Sequence, residues 1–150
     1  MSNIDFALDA AAGIRGAFAV ALVDYDSGMT LGARGGSAEF DLDVAAPGNS
    51  DVVRAKLEVI QKLGLRESIE DILITLDTQY HLIRPIRGRG DEEKLFFYLA
   101  LNRAQANLAM ARRDLRMIEQ QFQLAAPGAP APRAAAPAGA PDGSGAFFGR

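Results

Sequence analysis

A chain of 150 residues carrying 16 Lys and Arg against 19 Asp and Glu, net charge -3, has room for one ordinary domain plus a tail. With no Cys and a single histidine, His81, it cannot build a disulfide framework, a thiolate nucleophile or a Cys/His zinc site, and any Ser-His-Asp triad must use His81. The acidic balance argues against a phosphate-tracking nucleic-acid binder, and with no apolar run near the ~20 residues of a membrane helix and no signal-peptide order at the start, a soluble cytoplasmic protein is expected.

In chain order, Ser2 or Asn3 with Asp5 reads as a helix start, and Ile4, Ala7, Leu8, Ala11 and Ile14 recur at three- and four-residue steps, predicting a first helix to about Ala12. Ala17 to Val23 is a continuous apolar run of strand length, closed by the turn-forming Asp24-Tyr25-Asp26-Ser27-Gly28. Met29 to Ala33 returns as its hairpin partner and Gly35-Gly36-Ser37 ends it. A second helix is predicted from about Ser50 to Leu63, with Asn49 and Ser50 as cap candidates after Pro47-Gly48 and a stop at Gly64. Its apolar residues make two adjoining stripes: Val53, Leu57 and Ile60 on one, Val52, Ala55, Val59 and Leu63 on the other. That is wider than one buried face requires, so one stripe can cover a sheet while the other meets something else.

Glu67 to Asp77 is rich in β-branched residues and is separated by Thr78-Gln79 from Tyr80 to Ile86, which predicts a second hairpin; after the loop Arg87 to Asp91, Lys94 to Leu101 reads as a further strand. Gly88-x-Gly90 joins two strands and so lacks the helix N-terminus that makes such loops bind phosphate; it reads as a turn. Ala104, Leu108, Ala111, Leu115, Ile118 and Phe122 step by four and three, predicting a last helix with one packing face, while Arg112, Arg113, Arg116 and Glu119 fall largely off that line.

From Ala125 to Arg150, Ala, Pro and Gly fill 20 of 26 positions and hold five of the seven prolines. A segment so poor in large apolar side chains has little to repay the entropy of ordering, so residues 125–150 are expected to form a disordered tail beside a folded domain of residues 1–124. Phe147 and Phe148 are read as incidental aromatics at a solvated end, with a short docking motif as the alternative.

Sites for chemistry are few. No window fits Gly-x-x-x-x-Gly-Lys-Ser/Thr, so no P-loop is present, and no cofactor or metal is expected. Asp24 and Asp26 suit a hairpin turn, Asp91, Glu92 and Glu93 an acidic loop end, and His81 alternates with apolar neighbours in a strand, so none is read as catalytic. Arg84, Arg87 and Arg89 are the one basic cluster of positional interest, since an arginine on a loop can reach a partner's phosphate or carboxylate.

The order helix, strand, strand, helix, strand, strand, strand, helix resembles the roadblock family of dynein light chains and their bacterial relatives. The residues carrying the likeness are Gly16-Ala17 leading into AVALVDYDSGMTLG, Ile69 to Leu76 followed by Tyr80-His81-Leu82-Ile83, and Phe96 to Glu119 (FFYLALNRAQANLAMARRDLRMIE), this last phrase being similar to actinobacterial members. The resemblance spans Asn3 to about Leu124. It implies an α/β three-layer sandwich: a five-stranded antiparallel sheet, the first and last helices on one face and the second on the other. It also implies a homodimer through the third strand and second helix, with Val53, Leu57, Ile60, Ile69, Asp71, Leu73 and Thr75 as interface residues. The residues point the same way, since a long apolar edge strand and a helix with two apolar stripes would both be left in water in a monomer. By analogy the expected function is a non-enzymatic regulator or scaffold binding a small Ras-like GTPase, with Arg84, Arg87 and Arg89 as partner contacts. A small-ligand sensor with a pocket between the sheet and the last helix, a general interaction scaffold, and a hydrolase using Asp24 or His81 are the alternatives.

Overall fold

The computed structural model describes residues 3–87 and 94–124. Eight elements follow in chain order: α1 (Asn3–Ala12), β1 (Ala17–Asp24), β2 (Thr30–Gly35), α2 (Leu42–Lys62), β3 (Ile72–Thr75), β4 (Gln79–Pro85), β5 (Leu95–Asn102) and α3 (Leu108–Leu124). The strands form one antiparallel sheet in the order β2-β1-β5-β4-β3, so the two most apolar strands, β1 and β5, are central and the short β2 and β3 are the edges. This is the expected five-stranded sandwich.

Strand alternation divides the interior into two cores. Val20 and Leu22 of β1, Leu82 of β4 and Phe97, Leu99 and Leu101 of β5 point to one face, where Leu8 and Ala11 of α1 and Ala111, Leu115 and Phe122 of α3 cover them. Ala19, Ala21 and Val23, Ile83, and Phe96, Tyr98 and Ala100 point to the other, under Leu42, Ala46 and Val53 of α2. The helices therefore divide two and one across the sheet, as expected. Close approach is built in at Gly32 of β2, where an added Cβ would lie 2.6 Å from the Leu8 side chain, so α1 can sit directly on the strand. At Gly35, with φ +76, a Cβ would fall 2.3 Å from the Phe18 carbonyl oxygen, and only glycine fits.

Three boundaries differ from the sequence reading. The second helix begins at Leu42, eight residues before Ser50, because Asp41 caps it: its Oδ1 accepts from the Asp43 N–H at 2.9 Å. Pro47 is tolerated inside on an exposed position, and Ser50, expected as a cap, is buried, its hydroxyl donating to the Ala46 carbonyl at 2.8 Å. The third strand pairs only from Ile72 to Thr75 of the expected Glu67–Asp77 span, having a partner on one side only. The last helix starts at Leu108, since Asn102 caps the turn holding Ala104 and Asn107 Oδ1 accepts from the Met110 N–H at 3.1 Å.

Candidate functional site

Two surface features stand out, the outer side of α2 and the β3 edge of the sheet. The Val53 stripe of α2 faces the sheet: Val53 is fully buried and Leu57 and Ile60 are half-buried beside it. The second stripe faces away, with Val52, Val59 and the C-cap residue Leu63 exposed to 37%, 43% and 65%, and Val44 continues it toward the helix start. On β3, Ile72 and Ile74 point to the α2 side of the sheet, and Leu76, next in the alternation, is exposed. The stretch Ile72-Leu73-Ile74-Thr75-Leu76 has no charge and no proline, and among the described residues β3 is hydrogen-bonded to β4 alone. Of the devices that normally blunt a sheet edge, only the shortness of the strand is present in this stretch.

Of the residues expected at a dimer interface, the structure leaves Leu57, Ile60 and Thr75 accessible and engages the others within the protomer. Val53 is core, Ile69 is buried, and Leu73 points to the α3 side. Asp71 is held by Arg112 in a bidentate pair, Nη2 to Oδ1 at 2.6 Å and Nε to Oδ2 at 3.0 Å. The residues of β3 on the α2 side are the even-numbered Ile72 and Ile74, whereas Leu73 packs toward α3.

Arg84 is a second correction. It is not a surface residue available to a partner: it lies on the α3 face of β4, 3% exposed, and its Nε donates to Glu119 Oε1 at 2.7 Å. Glu119, placed off the packing line by sequence, is itself 2% exposed, and its second oxygen faces the Arg87 backbone N–H at 3.4 Å. The alternation Leu82-x-Arg84 was the signal that could have found this, since it puts Arg84 beside a core residue. With Arg112–Asp71 and an outer Arg116–Glu70 pair at 3.6 Å, α3 is clasped to β4 and to the segment entering β3. The Arg87 side chain is exposed; Arg89, with Asp91, Glu92 and Glu93, lies outside the described residues, as do residues 125–150 with Phe147 and Phe148.

His81 lies in an aromatic cluster under the start of α2. Its Nδ1 meets the Tyr98 hydroxyl at 3.1 Å and its Nε2 meets Gln79 Oε1 at 2.7 Å, while Phe40 lies edge-on at 5.6 Å between ring centroids. Burial lowers the His81 pKa from its ordinary 6.5 and pushes the Tyr98 phenol up to about 12, against a smaller opposing hydrogen bond from Asn49. A neutral imidazole that accepts from Tyr98 and donates to Gln79 is satisfied on both nitrogens, and an open cavity of about 440 Å³ lies beside it. Asp24 is also occupied locally, its Oδ1 accepting from the Asp26 and Ser27 N–H groups. Between the sheet and α3, where a ligand pocket was the alternative, Phe97, Leu99, Leu115 and Phe122 fill the space. Among the described residues no cluster of three metal-ligating side chains occurs, and no helix is long and apolar enough to cross a membrane.

No family model and no curated protein matches the chain. Solved structures do. Myxococcus xanthus MglB superposes with a TM-score of 0.69 at 14% identity, covering 81% of this chain and 85% of that one. A Roadblock/LC7 domain from Streptomyces avermitilis gives 0.65 at 13% identity, covering 79% and 93%. The gliding protein MglB of Thermus thermophilus gives 0.56 at 16%, covering 79% and 89%. At these identities the likeness is one of fold: the chain has the fold of Roadblock/LC7 domain structures.

Proposed function

We propose that this chain is a non-enzymatic regulatory or scaffold protein, that two copies join through the β3 edge and the outer stripe of α2, and that the dimer acts on a small Ras-like GTPase. Two observations carry the reading: an uncharged sheet edge at β3, and a helix, α2, that keeps Val52, Val59 and Leu63 exposed on the side away from the sheet. Pairing β3 with a second β3 satisfies the free backbone groups of the edge, and the same approach covers Val52, Val59, Leu63 and Leu76. Half-exposed side chains of this size return roughly 1 kcal/mol each when covered, so two copies of the patch supply several kcal/mol toward association. Ile74, Leu57 and Ile60 border the patch, and Thr75 lies on the pairing strand itself.

The GTPase enters through the resemblance to roadblock proteins set out above, and a structural neighbour described as MglB in a tetrameric arrangement fits a fold that assembles. A regulator of this kind needs no catalytic group of its own. Binding one nucleotide state more tightly than the other is enough to shift the partner's switch segments. Should an arginine be lent to the partner, Arg87 and Arg89 are the candidates, Arg84 being committed to Glu119.

The test is a capture experiment from source lysate with the full chain immobilised, run with GDP and with a non-hydrolysable GTP analogue. Enrichment of a small GTPase in one nucleotide state supports the reading, and replacing Arg87 and Arg89 by Gln then decides whether either contributes to hydrolysis. Absence of any nucleotide-dependent partner overturns the GTPase assignment. Light scattering tests the dimer separately: a monomer mass at every concentration overturns it.

A further inference from the structure

A second apolar surface lies on the opposite layer. α1 and α3 run antiparallel, pinned at one end by Asn3 Nδ2 donating to the Phe122 carbonyl at 3.2 Å. Toward the other end a groove of about 300 Å³ opens between them, with Ile14 and Ile118 as its floor, the small Ala10 and Gly13 on one wall and Met117 on the other. Ala10 and Gly13 are what make it a groove, since nothing on α1 there is large enough to meet α3. The apolar surface extends past the groove at both ends: Phe6, one turn before Ala10, is 65% exposed, and Met110, one turn before Asp114, is 48% exposed.

We propose that the segment Gly145 to Arg150 of this same chain seats Phe147 and Phe148 in the α1/α3 groove. The described chain ends at Leu124, seven residues beyond Met117 on the same helix, which is about 10 Å of helix rise. The 23 residues from Leu124 to Phe147 span several times that distance at ~3.3 Å per residue, so the return is easily made. Phe147 and Phe148 are the only large apolar side chains after residue 124, and the groove offers a phenyl ring aliphatic floor atoms and a methionine sulfur, a favourable partner for an aromatic edge. Charge agrees in sign. Asp114 stands on the rim with its side chain 39% exposed, Arg150 follows Phe148 by two positions, and residues 125–150 carry two arginines against one aspartate while residues 1–124 are net acidic. The α2 stripe is the competing apolar surface, but it lies behind the sheet from the end of α3. A seated tail covers the helical layer, so a partner using that layer must displace it.

The methionines provide the readout. Of the four, Met110 and Met117 border the groove, whereas Met29 is 65% exposed in the β1–β2 turn on the α2 side. In the full chain labelled with methyl-13C methionine, the Met117 and Met110 methyl resonances should be displaced upfield by the phenyl rings. In the double variant Phe147→Ala, Phe148→Ala both should return to the position of an exposed methionine, with Met29 unmoved and the difference independent of protein concentration. Identical Met110 and Met117 resonances in the two proteins overturn the proposal, and so does a displacement that vanishes on dilution, because the rings would then come from a second copy.

Discussion

Glu119 and Arg84 show how much one side chain can decide. Both charges are almost wholly buried, and each has the other 2.7 Å away as its charged partner. Glu119→Gln leaves the guanidinium uncompensated and is expected to cost about 3–5 kcal/mol in urea unfolding, whereas replacing the pair together, Arg84→Met with Glu119→Leu, recovers most of that loss. His81 makes a different expectation. Its folded pKa lies below the ordinary 6.5, so as pH falls below about 6.5 the unfolded chain takes up a proton that the folded chain refuses. Stability should therefore be level above about 6.5, decline as pH drops toward the folded pKa and level again below it; denaturant midpoints across this range should lose that slope in His81→Asn. From its alternation in a strand, sequence alone read His81 as a structural or surface histidine, and the structure places it half-buried against Tyr98 and Gln79. Sequence misjudged Arg84 and Glu119, because charge is a good guide to exposure except where two opposite charges meet inside, and a pair 35 positions apart leaves no local signature.

At the scale of elements, α2 and β3 carry the argument. The two stripes of α2 were legible as periodicity, and the structure assigns one to the core and leaves the other in solvent. Its true start was not legible: Pro47-Gly48 has the appearance of a boundary, yet an exposed proline early in a 21-residue helix removes one backbone bond while the Asp41 cap and the burial of Leu42 and Ala46 hold the first turns. For β3 the apolar character was legible and the parity was not, since a strand of period two has two faces of similar composition here and only its pairing with β4 says which meets α2. If this surface joins two copies, Val59→Glu and Leu76→Lys, both at exposed positions, should each shift light-scattering mass toward the monomer at micromolar concentration, with the far-ultraviolet circular dichroism unchanged. A dimer that survives both substitutions would place the interface elsewhere.

For the whole molecule, if two copies associate as proposed, association and folding share one free energy. A protein whose stability includes a partner copy melts at a higher temperature as its concentration rises, so the full chain should show that dependence and the variants Val59→Glu and Leu76→Lys should not; a melting temperature indifferent to concentration in the parent chain would mean that the dimer adds nothing to stability. The division of labour between sequence and structure is clear at this scale. Sequence by itself determined the element order, the central apolar strands and the helix with two apolar stripes, because these depend on local periodicity and composition. Only the tertiary structure decided which stripe and which strand face remain uncovered, that Arg84 is an internal strut rather than a reaching arm, and that α1 and α3 leave a groove between them. Each of those depends on which elements become neighbours across the sheet, and residues far apart in the chain acquire that information only when it closes on itself.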